Sequence, residues 1–207
     1  MAKQPVLKPR VAARDLCEDP VLGAWVRRIG PIKLPSLDAE PFFYLLRSIC
    51  YQQLAGKAAR TIHGRVVEAL GGEVTPDRVL AASEAVLRGA GLSGAKVKAV
   101  RDLANKVRSG EVEIHDLDLH PDDEIVRRLT LVRGIGVWTA QMYMLFRLRR
   151  PDVWPTGDLG VRAGYAKMHA LEEYPSAREL EPLGDPYRPW RSAAAWYCYR
   201  ALETELS

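Results

Sequence analysis

The sequence is poor in the features that mark several large protein classes. No apolar run approaches the roughly 18 residues of a membrane-spanning helix, so an integral membrane protein is excluded. Only three cysteines occur (Cys17, Cys50 and Cys198), odd in number and far apart. That excludes a disulfide framework and a CxxC pair, and it favours a reducing compartment. Without a four-cysteine set there is no iron–sulfur cluster. The histidines (His63, His115, His120, His169) share no ligand spacing with cysteine or carboxylate, so no zinc site is expected. Asp116-x-Asp118 lacks the glycine and distal glutamate of a calcium loop. The chain opens without the apolar segment of a secretory signal, and no stretch alternates long enough for a useful strand.

What is present is enough for a core. Apolar residues make up 47% and charged residues 27% of 207 residues, which excludes a wholly disordered chain. The net charge of +4 is already carried by Lys3, Lys8, Arg10 and Arg14 in residues 1–14, so the remainder is neutral. The charge is nevertheless segregated. Residues 47–65 hold Arg47, Lys57, Arg60 and Arg65 with no acid. Residues 125–150 hold Arg127, Arg128, Arg133, Arg147, Arg149 and Arg150, again with no acid. Such a body presents either a basic face to a polyanion or ordinary solvated helix faces.

Helical periodicity dominates. Phe42, Leu45, Leu46 and Ile49 recur at i, i+3, i+4 and i+7, as do Val97, Val100, Ala104 and Val107. Asp19-Pro20 and Thr75-Pro76 have the form of an N-cap followed by proline. The pattern predicts helices over 20–29, 40–50, 55–70, 76–89, 94–109, 121–132, 137–148, 159–170, 176–181 and 189–204. The fold class is all-α. Residues 1–14 read as a flexible basic arm and 15–207 as one domain.

The segment Leu131-Val132-Arg133-Gly134-Ile135-Gly136-Val137-Trp138-Thr139-Ala140 carries the chemistry. A helix with Ile125, Leu129 and Val132 on one face runs into Gly-Ile-Gly, and a second helix follows at once. Two glycines permit a tight hairpin and close approach of a ligand, and the free N–H groups of the second helix suit a phosphate. An ordinary αα-hairpin has the same pattern. A dinucleotide fingerprint does not fit, because the spacing is Gly-x-Gly-x-x-Thr and a helix precedes it.

Downstream stands Trp154-Pro155-Thr156-Gly157-Asp158-Leu159-Gly160-Val161-Arg162. Upstream is Ser48-Ile49-Cys50-Tyr51-Gln52-Gln53-Leu54-Ala55-Gly56-Lys57-Ala58-Ala59, and near the end Pro189-Trp190-Arg191-Ser192. In their order and spacing these segments resemble the helix-hairpin-helix DNA glycosylases, and within them the alkylpurine branch typified by 3-methyladenine DNA glycosylase II. The resemblance covers most of residues 40–200.

It implies two helical lobes with a lesion pocket between them, and hydrolytic release of an alkylated purine to leave an abasic site. Asp158 is then the carboxylate that stabilises the cationic sugar; its residue type and position fit a helix N-cap equally well. Gly134, Gly136, Arg133, Thr139, Gln53 and Lys57 would meet DNA, with Gln53 plugging the gap left by a flipped nucleotide. A solvated helix end is the other reading of Gln52-Gln53. Trp138, Met142, Leu159, Trp196 and Tyr199 would line the base pocket, although Trp138, Trp196 and Tyr199 also suit a core. Trp138 stands where lyase-active relatives place lysine, which implies a monofunctional enzyme. Arg133 replaces the customary proline, and Met142 and Leu159 replace aromatic rings.

No cofactor is required by the resemblance. A structural Na⁺ or K⁺ on the carbonyls of Thr130, Val132 and Ile135 is the one candidate. The implied partner is double-stranded DNA with damaged bases, met by a monomer without membrane attachment. The implied location is inside the cell with the DNA: cytoplasm or nucleoid in a bacterium, nucleus in a eukaryote. Two rivals remain open: a glycosylase of the same superfamily for uracil, mispaired thymine or an oxidised base, and a non-catalytic hairpin module that only binds DNA.

Overall fold

The computed structural model describes residues 4–34, 39–54 and 56–206. Among these residues it holds twelve α-helices and no strand, and no helix is long and apolar enough to cross a membrane. Contacts divide the chain into two units. One is Ser36–Ala140; the other joins Gln4–Pro35 to Gln141–Ser207.

The first unit contains α3 (Pro41–Tyr51), α4 (Gly56–Ala69), α5 (Pro76–Ala81), α6 (Glu84–Gly89), α7 (Gly94–Arg108), α8 (Asp122–Thr130) and the start of α9 (Val137–Met142). The apolar stripe of α3 is buried as its periodicity requires, with Leu45, Leu46 and Ile49 fully covered and Phe42 nearly so. In α7, Val97, Val100 and Ala104 are buried, but Leu103 rather than Val107 completes the inward face. The helix expected over 76–89 is two. Ala82 turns to an extended conformation, and Ser83 caps α6 by accepting the Val86 N–H at 3.3 Å. Arg101 donates to the Ala82 carbonyl at 2.7 Å, so the break leaves that acceptor satisfied.

The second unit contains α1 (Pro9–Leu16), α2 (Leu22–Ile29), α10 (Leu159–Met168), α11 (Ala177–Leu183) and α12 (Arg191–Ala201). Helix α12 is its centre: Ser192 through Cys198 and Ala201 are all buried. Its alanines and Gly164 of α10 allow close helix packing. A Cβ at Gly164 would lie 2.1 Å from the Cys198 carbonyl oxygen, a collision that only glycine avoids.

The flexible arm is corrected by the structure for residues 4–14; residues 1–3 lie outside the described residues. Leu7, Ala12 and Leu16 are buried in the core of this unit, and the Leu7 N–H donates to the Arg149 carbonyl at 2.6 Å. Four cations in fourteen residues hide a short apolar stripe that pins the segment down. Helix α2 begins later than Pro20, yet Asp19 still serves its start, accepting from the Val21 and Leu22 N–H groups at 3.0 and 2.7 Å. The helix expected over 137–148 changes character at Tyr143, where one π turn covers Tyr143–Arg147.

The basic run 125–150 presents less free charge than its composition implies. Arg127 and Arg128 are both held by Glu124, with N···O distances of 2.6–2.7 Å, and these bonds lower the Glu124 pKa to about 2. Arg150 is buried at 2% exposure.

Candidate functional site

The hairpin is built as its sequence suggests, with one difference. Gly134 takes φ of 80°, in the region where side chains are strained. It also packs closely: an added Cβ would stand 3.0 Å from the Ala99 Cβ on α7. Gly136 has no positive φ and open space around its Cα. Only the first glycine is therefore demanded by the backbone. The second leaves room at the hairpin surface. The Val132 carbonyl closes the turn by accepting the Ile135 N–H at 3.0 Å.

Around this turn, Arg133 and Gly136 are exposed, as are Val137 and Trp138, at 55% and 45%. Trp138 is thus not a core residue. Thr139 corrects an expectation. It is 4% exposed, and its hydroxyl oxygen accepts the Gln52 amide at 3.2 Å, so it faces inward to hold the hairpin rather than outward to a ligand. The same Gln52 amide donates to the Gly134 carbonyl at 2.9 Å. Gln53, next in the chain, is exposed and takes φ of 57°, a left-handed turn conformation. Lys57 is exposed on the first turn of α4.

Sequence reasoning missed two residues here. Asp102 on α7 accepts the Arg133 N–H at 2.7 Å, and Lys96 donates to the Cys50 and Gln52 carbonyls, both at 2.8 Å. Neither belongs to a motif. Their partners lie dozens of residues away, so no local signal marks them.

In the second unit Asp158 is the N-cap of α10. Its Oδ1 accepts the Val161 N–H at 2.9 Å, and the residue is 8% exposed. Tyr199 on α12 lies beside it. Burial first, then the Asp158 charge and hydrogen bond, push the Tyr199 phenol well above the usual tyrosine range. The phenol oxygen is also 3.6 Å from the Met142 sulfur. A carboxylate is the stronger acceptor, so the phenol proton is directed to Asp158. Gly160 makes this arrangement possible. A Cβ there would meet the Tyr199 ring at 2.8 Å and Asp158 Oδ1 at 3.1 Å.

The other expected pocket residues separate. Leu159 is 61% exposed and Met142 partly buried. Trp196 is 8% exposed and belongs to the core cluster, edge-on to Tyr197 at 5.1 Å. The structure corrects Trp196 from pocket wall to core packing, because its helix is buried on nearly every side. Among the described residues no group of three His, Cys, Asp or Glu side chains is placed to hold a metal ion.

Comparisons with known proteins bear on the family and the fold. The profile of the family described as "HhH-GPD superfamily base excision DNA repair protein" matches residues 46–189. The chain is 32% identical over 164 residues to DNA-3-methyladenine glycosylase 1 of Schizosaccharomyces pombe, covering 78% of this chain and 72% of that protein. The solved structure of the Schizosaccharomyces pombe 3-methyladenine DNA glycosylase in complex with abasic DNA matches with a TM-score of 0.86 at 29% identity, covering 94% of this chain and 97% of that one. A DNA-3-methyladenine glycosidase from Bacillus halodurans matches with a TM-score of 0.83 at 31% identity, over 99% and 94% of the two chains.

Proposed function

The chain belongs to the HhH-GPD superfamily of base excision DNA repair proteins, and from that membership we propose its reaction. It hydrolyses the N-glycosidic bond of alkylated purines in DNA, of the 3-methyladenine and 7-methylguanine kind, and leaves an abasic site. The observation that carries this reading is the near full-length likeness to a 3-methyladenine DNA glycosylase solved with abasic DNA. Release of the free base from methylated duplex tests it.

Charge sets the chemistry. An alkylated purine is already cationic, so it departs with the electron pair of the breaking bond and needs little acid assistance. Positive charge then develops on the deoxyribose, water adds to its C1′, and a proton is lost to solvent. Asp158 stabilises the developing cation. Its capping bond to Val161 and the Tyr199 phenol fix the direction in which the carboxylate points. Met142, whose sulfur is 3.6 Å from the Tyr199 phenol oxygen, and Leu159, the residue after Asp158, take the positions where the resemblance implies a base wall. Neither carries a ring to stack on an extruded base, and this favours a lesion range shifted away from that of relatives with aromatic walls.

Trp138 offers no amine, so no Schiff base forms at this position. Borohydride trapping and spontaneous strand nicking are expected at background with wild-type protein. A trapped covalent complex would contradict the hydrolytic mechanism.

The hairpin, Arg133 and Lys57 grip the duplex without reading its sequence, and Gln53 fills the gap left by a flipped nucleotide. Binding to undamaged DNA is therefore expected to be weak and salt-dependent, losing about 0.9 log units of affinity per tenfold rise in salt for each phosphate neutralised. Gly134→Val and Gly136→Val both weaken binding to every duplex, but for different reasons. The first strains the turn and pushes on Ala99; the second only crowds its open surface. Melting curves separate them, since Gly134→Val alone should lose stability. Normal DNA binding by both variants would remove the hairpin from the interface.

The hairpin carbonyls of Thr130, Val132 and Ile135 are compatible with a structural Na⁺ or K⁺. The donors are all oxygen, and the Val132 carbonyl, though bonded to the Ile135 N–H, keeps a second lone pair. Such an ion would stiffen the turn, and no step of the reaction runs through it. Acting on DNA, the protein works inside the cell, at the nucleoid or in the nucleus.

A further inference from the structure

The wedge turn at Gln53 and the phosphate hairpin at Gly134 are far apart in sequence, yet one helix touches both. At the N-terminal end of α7, the Lys96 ammonium donates to the carbonyls of Cys50 and Gln52 at 2.8 Å each. These are the end of α3, where helix carbonyls lose their internal partners, and the residue after them is Gln53. One turn further stands Ala99, whose methyl would lie 3.0 Å from a Cβ added at Gly134. One more turn on, Asp102 accepts the Arg133 N–H at 2.7 Å. Residues three apart are neighbours along a helix surface, so Lys96, Ala99 and Asp102 form one line of contacts. Gln52 closes the loop by donating from the wedge turn to the Gly134 carbonyl and the Thr139 hydroxyl.

We propose that this side of α7 is a rail that sets the register between insertion and grip. Lys96 is the positioning residue for the Gln53 turn, and Asp102 is the positioning residue for the hairpin. The proposal rests on the glycosylase reading above. A wedge enters the base stack at the right step only if it is held at a fixed distance from the backbone contacts. Two elements joined to one rigid helix keep that distance, whereas two loops on separate supports would not.

The two ends of the rail should fail differently. Lys96→Met removes both donors but keeps the length of the side chain. Its single-turnover excision rate at saturating DNA is expected to fall about 10- to 100-fold on a stably paired lesion. The loss should be much smaller on a mismatched lesion, whose extrusion costs less. Its affinity for undamaged duplex should stay within about twofold, since the hairpin keeps its Asp102 support. Asp102→Leu is expected to do the reverse, weakening binding to all duplexes about tenfold with the saturating rate retained. Asp102→Asn should restore affinity, because its amide oxygen accepts the same N–H. Should Lys96→Met fail to fold, Lys96→Gln keeps an amide N–H donor on a shorter side chain and should show a smaller loss, again on paired lesions alone.

Wild-type excision of paired lesions by Lys96→Met, wild-type affinity in Asp102→Leu, or a lowered melting temperature with neither readout moved, would overturn the rail. So would Lys96→Met and Asp102→Leu shifting affinity and rate together by one factor. A wild-type protein that releases no alkylated base would defeat the glycosylase reading itself, and the wild-type arm shows that without reference to any variant.

Discussion

Asp158→Asn should lose about 100- to 1,000-fold in the single-turnover rate of base release, or about 3–4 kcal/mol of transition-state stabilisation, while folding and DNA binding persist. Asparagine is a good N-cap, and its amide oxygen can accept the Val161 N–H that Oδ1 of Asp158 accepts at 2.9 Å. Shape and capping survive; the negative charge does not. The loss should be smallest for the most labile cationic lesions, whose leaving group already drives departure. It should be largest for a neutral lesion such as hypoxanthine. Release from 7-methylguanine and from hypoxanthine, measured beside a melting curve, checks both points. Wild-type rates on both substrates would leave Asp158 as a helix cap and nothing more.

Gly160→Ala is the second large effect, and it reaches the same carboxylate from the side. The new methyl would stand 2.8 Å from the Tyr199 ring and 3.1 Å from Asp158 Oδ1, so at least one of them must move. Gly160 has no positive φ and lies in the first turn of α10, where alanine's preference over glycine is a fraction of the about 1 kcal/mol it reaches in a helix interior and offsets a small part of the crowding. Stability should fall modestly while excision falls about 10- to 100-fold, the cost of a misplaced reacting group. The partner variant Tyr199→Phe removes the phenol that donates to Asp158 without adding bulk. If Gly160→Ala acts by displacing this pair, the two variants together should lose less than the product of their separate losses. Full activity in Gly160→Ala would separate the packing at this position from the chemistry.

The parts of this protein that a local pattern specifies were legible in its sequence. Leu45, Leu46 and Ile49 of α3 are buried because their spacing puts them on one helix face. The hairpin could be read from Gly134, and Asp158 from its place before α10. Three kinds of feature were not legible. The N-terminal helix was masked by charge, since Leu7, Ala12 and Leu16 become a stripe only when a core exists to receive them. The inward turn of Thr139 depends on Gln52, and the hairpin depends on Asp102 and Lys96. Those partners are made by tertiary folding, and single-chain periodicity carries no trace of them. Trp196 and Tyr199 had equal claims on core and pocket. What separates them is rotation about a helix whose buried surface is nearly continuous, which leaves the partly exposed Tyr199 beside Asp158 and Trp196 within.

The most direct measurement is incubation of wild-type protein with duplex DNA methylated to contain 3-methyladenine and 7-methylguanine, with the released material identified by mass and the strand checked for abasic sites. The expected result is free alkylated purine in step with abasic sites, an intact backbone, and no release by Asp158→Asn above its reduced rate. Binding of the duplex with no base released from any alkylated purine would contradict the catalytic account and leave a protein that only grips DNA.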